Sequence, residues 1–165
     1  MYRASSILLS TDYKIHIPIV KELMKEEYAP LWNITYNELD SEKSNILNLI
    51  DKIKEVLYGD RPKLVKKIYN KKSEGTITDT LATKILLGTL ACIPAYDTNF
   101  KKAIKLYKHG AGTVNEPSIE ILANFYEENK NSLNNLIKKF EKDGVRYPQM
   151  KILDMGFFEY GKKLE

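Results

Sequence analysis

The sequence predicts an all-α fold, a compact bundle of about six or seven helices, and three observations carry that expectation. Apolar residues recur at three- and four-residue spacings along most of the chain. Proline stands where three helices are expected to begin, at Pro18, Pro117 and Pro148, and its fixed φ suits a first helical turn. Strand signals are scarce, with no Asn-Gly turn and no sustained apolar–polar alternation.

Taken in order, residues 1–17 read as short strands or as an extended lead-in. Pro18 opens a helix through IVKELMKEEYA, with Ile19 and Leu23 on one face, and Pro30 stops or kinks it. LWNITYNEL is ambiguous, and its Trp32 is the only tryptophan and an expected core anchor. Asp40 or Ser41 caps a helix in which Ile46, Leu49, Ile50, Ile53, Val56 and Leu57 recur, with Gly59 as its stop. KLVKKIYNKK after GDRP forms a short basic helix, and 73–77 a polar loop. Thr78 or Asp79 caps TLATKILLGTLACI, Pro94 breaks it, and Asp97 or Thr98 caps NFKKAIKLYKHG. One long helix is expected from Ser118 to Lys142, ended by Asp143-Gly144, and a last one follows Pro148.

Composition bounds the function classes. A chain of 165 residues with 43% hydrophobic and 29% charged content is ordinary for a single folded domain, here taken as 1–165. The longest apolar run, Ile85 to Ile93, is far below the ~20 residues of a membrane span, so no membrane partner is expected. The N-terminus lacks a signal-peptide apolar core, which points to the cytoplasm. One cysteine, Cys92, excludes an internal disulfide and fits a small buried hydrophobe; His16 and His109 are too few for a His-rich metal site. No cofactor is implied. Net charge is +4, and only three of the 26 basic residues are arginines: Arg3, Arg61 and Arg146. There is no phosphate-binding GxxxxGK[ST] loop, no GxSxG elbow and no HExxH pair.

What remains is the stretch KILLGTLACIPAYDTNFKKAIK, in which an apolar helix runs into a proline corner and an aspartate opens the next helix. Through Pro94, Asp97 and Thr98 in "IPAYDT", this segment is similar to the corner of helix-hairpin-helix DNA glycosylases. The resemblance covers about 30 of the 165 residues. It implies a helical DNA-binding fold whose hairpin lies at GTITDTLATKI and whose aspartate faces the substrate sugar. The position of the catalytic lysine in bifunctional members falls on Asp79, with Lys84 nearby. The resemblance therefore implies that Asp97 acts alone, as in monofunctional members. On the residues themselves, Asp97 is at least a favoured N-cap.

Asp154 is a second anomaly, placed by helical spacing inside the apolar arc near Phe157 and Phe158. It is either a surface residue or a buried, partnered carboxylate sharing a site with Asp97. Asp97 and Asp154 are the candidate catalytic residues. Lys84, Lys101, Lys102 and Lys105 are the candidate nucleic-acid contacts, from a lysine-rich helix face. Two functional expectations follow. The first is a nucleic-acid-associated, glycosylase-like helical domain binding DNA or RNA. The second is a non-enzymatic interaction module, such as a small phage or defence-system component, with Tyr and Phe of the last helices as its protein-binding surface.

Overall fold

The computed structural model describes residues 16–69, 78–109 and 111–164, with only the backbone described for 60–69. Seven α-helices and two 3₁₀ turns account for the regular structure, and no strand is formed among the described residues. The helices are α1 (Ile17–Leu23), α2 (Leu39–Tyr69), α3 (Asp79–Thr89), α4 (Thr98–Tyr107), α5 (Glu116–Glu128), α6 (Lys130–Phe140) and α7 (Gln149–Lys162). The all-α bundle is thus observed. α2 is its central rod, packing against α1, α3 and α5; α4 and α7 form a second close pair, and α6 bridges α5 and α7.

The first helix is shorter than its sequence suggests. Continuing past Leu23 in helical register would bring Glu26, Glu27 and Pro30 onto the buried face. The chain instead becomes extended at Lys25 and re-forms as a 3₁₀ turn, Glu26–Leu31, which turns Tyr28 and Leu31 inward. Trp32 does not anchor the core and is 50% exposed, because Leu31 and Ile34 on either side fill the interior.

α2 runs for 31 residues through Gly59 and Pro62, where a stop and a separate short helix were expected. The 3₁₀ turn Tyr36–Glu38 that leads into it is capped by Thr35, whose N–H and hydroxyl both donate to Glu38 Oε2 at 2.7 and 2.9 Å. Up to Leu57 the helix buries the stripe Leu39, Ile46, Leu49, Ile50, Ile53 and Leu57 against the rest of the bundle. The expected basic-helix side chains and the polar loop fall outside the described residues.

The long helix after Pro117 is two helices. Asn129 departs from helical dihedrals (φ −113°, ψ 15°), and its side-chain amide donates to the Phe125 carbonyl at 2.9 Å. A side chain that captures a backbone carbonyl in this way offers the chain a local exit from the helix. Asp143 and Gly144, at φ 53° and 76°, then form a two-residue reversal between paired Lys142 and Val145. This returns the chain to Pro148 and α7.

α7 and α4 meet unusually closely at one point. A Cβ built on Gly161 would fall on the Asn99 carbonyl oxygen, 2.6 Å from its carbon and 3.0 Å from Asn99 Cα. Backbone therefore touches backbone there, and only glycine fits.

Candidate functional site

Both candidate acids meet at the corner between α3 and α4. The chain leaves α3 through Ala91, which is held at φ 54° with its N–H on the Leu86 carbonyl at 2.9 Å. Cys92, Ile93, Pro94, Ala95 and Tyr96 then pass through the interior in a non-helical conformation, all buried. A buried segment of this kind must find partners for each backbone N–H and C=O. Side chains from two helices supply three of them. Thr83 Oγ1 accepts from the Tyr96 N–H at 3.0 Å, and Thr80 Oγ1 donates to the Tyr96 carbonyl at 2.7 Å. From α7, Asp154 Oδ1 accepts from the Ala95 N–H at 3.0 Å.

Asp154 is therefore the buried, partnered carboxylate of the two alternatives: 9% exposed, with Oδ2 on Lys151 Nζ at 2.9 Å. Two residues beyond Ala95, Asp97 caps α4, its Oδ1 accepting from the Phe100 N–H at 3.0 Å. Its other oxygen lies 3.8 Å from Lys84 Nζ. The corner thus brings Asp97, Asp154 and Lys84 together around one stretch of backbone. Each carboxylate holds a backbone N–H of that stretch or of the helix it leads into. Replacing Asp97 by alanine is expected to cost about 1 kcal/mol, the usual worth of an N-cap, because the partly exposed ion pair adds little. Urea denaturation of Asp97→Ala measures it, and a loss well above 2 kcal/mol would assign this residue more than a cap.

The remaining candidates scatter along α4. Lys101 and Lys102 are half-buried, and Lys105 is exposed. The aliphatic stem of Lys105 covers Gly112, where a Cβ would come 2.9 Å from Lys105 Cδ. Among the described residues no three His, Cys, Asp or Glu side chains are placed to hold a metal ion. Every buried side-chain nitrogen and oxygen among them has a hydrogen-bond partner. The Cys92 thiol is pushed up to about 12 by burial, which leaves it without thiolate character.

Tyr96 joins the corner to a row of rings. Its hydroxyl lies 2.9 Å from Ser118 Oγ, inside the cap of α5. Its ring packs on Phe100 (4.8 Å between centroids), Phe100 on Phe157 (5.3 Å), Phe157 on Phe125 (4.8 Å), and Phe125 edge-on to Tyr107 (5.0 Å). The outer end of that row lines a surface groove between α4 and α7, with a cavity of about 420 Å³. Leu106 and Tyr160 stand at its mouth, 59% and 54% exposed. Gly156 forms part of its wall, and a Cβ there would meet nothing within 4 Å.

Neither Asp97 nor Asp154 lines this groove, nor a second cavity beside α6. Phe157 and Tyr160 were legible in the sequence as aromatics of the last helix, whereas Leu106 and Gly156 were missed. The only signal for them was an isolated leucine among lysines and a glycine without a turn to make. No helix among the described residues is long and apolar enough to cross a membrane. Comparison of the chain with protein-family profiles, curated proteins and solved structures finds no match.

Proposed function

We propose that this domain is a non-enzymatic interaction module that seats an amphipathic helix of a partner protein in the groove between α4 and α7. This reverses the order of the two expectations drawn from the sequence. The observation that carries it is the groove itself: a cavity of about 420 Å³ walled by apolar and aromatic side chains, with exposed Leu106 and Tyr160 at its mouth. Two helices framing an apolar trough form the kind of site into which a third helix lays its apolar face. Gly156 lowers one wall, so a partner side chain can enter without displacing anything.

Charge selects the occupant further. Exposed Lys105 is the chain neighbour of Leu106 and exposed Lys163 lies one turn after Tyr160, so lysines stand near the mouth of the trough on both helices. An occupant with acidic residues flanking its apolar stripe complements them. The corner contributes support of another kind, since Asp97 and Asp154 are both engaged in holding backbone N–H groups.

Gly156→Trp tests the proposal. The substitution fills the groove at a helical position where glycine meets no neighbour, and Gly156→Ala, expected to add up to about 1 kcal/mol of stability, controls for the fold. Peptides selected from a displayed helical library should carry spaced large apolar residues among acidic ones. They should lose affinity about tenfold or more on Gly156→Trp, equivalent to about 1.4 kcal/mol. Selected peptides that bind Gly156→Trp unchanged would refute the groove. Self-association abolished by Gly156→Trp would replace the partner by a second copy. Binding to labelled DNA that falls steeply with salt and with Lys101→Ala and Lys105→Ala would replace it by nucleic acid.

A further inference from the structure

A second cavity, of about 500 Å³, lies on a different part of the surface, between α6, the reversal that follows it, the start of α7 and the loop ahead of α2. Its chemistry differs from that of the groove. Lys138 and Arg146 line it together with Asn134, Gln149 and Tyr147, and no acidic side chain is among its lining residues.

Several of these groups are oriented by their neighbours. Asn134 Oδ1 accepts from the Tyr126 hydroxyl at 2.7 Å, and Gln149 Oε1 accepts from the Tyr36 N–H at 2.9 Å. Each of these bonds fixes the carbonyl end of its amide against a protein donor and so sets which way the NH₂ end points. Arg146 is held in the same way: its Nε donates to Glu141 Oε2 at 2.5 Å, leaving the two terminal nitrogens of its fork. Lys138 has no ion-pair partner among the described residues. The cavity thus gathers NH donors and two cations; Glu141 and Glu38, which hold Arg146 and Thr35, are not among its lining residues, so the Lys138 ammonium and the terminal nitrogens of Arg146 are the charged donors that face it. Arginine is scarce in this lysine-rich chain, and one of its three sits here. Beside it, the Tyr147 ring is 44% exposed and braced edge-on by Phe140 at 6.3 Å.

We infer that this cavity binds a phosphate ester of nucleoside-monophosphate size, with the phosphate held by Lys138 and Arg146 and a planar base against Tyr147. Charge-assisted bonds from a guanidinium fork and an ammonium suit a phosphate dianion, and the NH₂ groups of Asn134 and Gln149 can donate to its remaining oxygens. A volume of about 500 Å³ exceeds what inorganic phosphate fills and lies within the range of small-molecule pockets. The exposed ring supplies a stacking face that needs no particular base. This inference is independent of the α4–α7 groove.

Titration calorimetry with the full chain tests it, using the common ribonucleoside monophosphates, the matching nucleosides and inorganic phosphate as probes. A monophosphate should bind saturably, and the nucleoside and inorganic phosphate each about tenfold or more weaker. Arg146→Ala and Lys138→Ala, both at exposed positions, should each weaken the monophosphate about tenfold, with Arg146→Lys restoring only part. Tyr147→Ala should weaken the monophosphate and leave inorganic phosphate unchanged. Absence of saturable binding by any monophosphate at millimolar concentration overturns the inference, as does binding unaffected by both cation substitutions. Tighter binding of a single-stranded oligonucleotide than of any mononucleotide overturns it in favour of a nucleic-acid surface.

Discussion

Gly161→Ala is expected to lower the unfolding free energy by about 3 kcal/mol, more than the same exchange at Gly112 or Gly156. The added methyl group would fall on the Asn99 carbonyl, and Asn99 belongs to the first turn of α4, which cannot move without dragging Phe100 out of the core. α4 and α7 would have to separate, loosening the ring contact between Phe100 and Phe157. Two other glycines serve as internal controls. At Gly112 the obstructing atoms belong to the flexible Lys105 side chain, so Gly112→Ala should change stability by less than about 1 kcal/mol. At Gly156 nothing obstructs, and alanine should stabilise. Urea midpoints with unchanged slopes read all three. A cost below about 1 kcal/mol at Gly161 would show that the two helices are not locked at this point.

Asp154→Ala is expected to cost about 2 to 3 kcal/mol, through a backbone group 59 residues away. The substitution leaves the Ala95 N–H buried among Cys92, Ile93 and Tyr96 with no acceptor, and the full desolvation penalty of that group appears. Asp154→Asn retains one oxygen for Ala95 but turns its NH₂ toward Lys151, and should cost about 1 kcal/mol. Lys151→Ala removes only a partly exposed ion pair and should cost the least, less than about 1 kcal/mol. A cost that falls from Asp154→Ala through Asp154→Asn to Lys151→Ala is the signature of a carboxylate retained to satisfy a peptide N–H. Equal costs for Asp154→Ala and Lys151→Ala would assign the stabilisation to the ion pair instead.

Much of the fold was legible where its causes are local. Thr78 and Asp97 accept N–H groups at the first turns of their helices, Pro117 stands in the first turn of α5, and Pro148 directly precedes α7. Such signals act over three or four residues, the range that spacing can reveal. The continuation of α2 through Gly59 and Pro62 was hidden, because a glycine with a proline shortly after it is the local signature of a helix stop. The exposure of Trp32 was hidden because which of Leu31, Trp32 and Ile34 turns inward depends on where α1 stops. Asp154 was visible as an anomaly, but its partner is a peptide N–H, which has no sequence signature. Neither cavity was legible, since each exists only through the relative placement of elements far apart in the chain.

The α3–α4 corner also has a consequence for how the protein is made. Ribosomes add about 5 to 20 residues per second, so Asp154 follows Ala95 by about 3 to 12 seconds. Over that interval the Ala95 amide has no acceptor from α7, Gly161 is absent from the side of Asn99, and the row of rings lacks Phe157. The nascent chain therefore carries an unclosed apolar corner for a time that is long against the microsecond formation of its individual helices. The last helix is the latch of this domain. Any binder of exposed apolar segments that meets the chain during synthesis has several seconds in which to find it open.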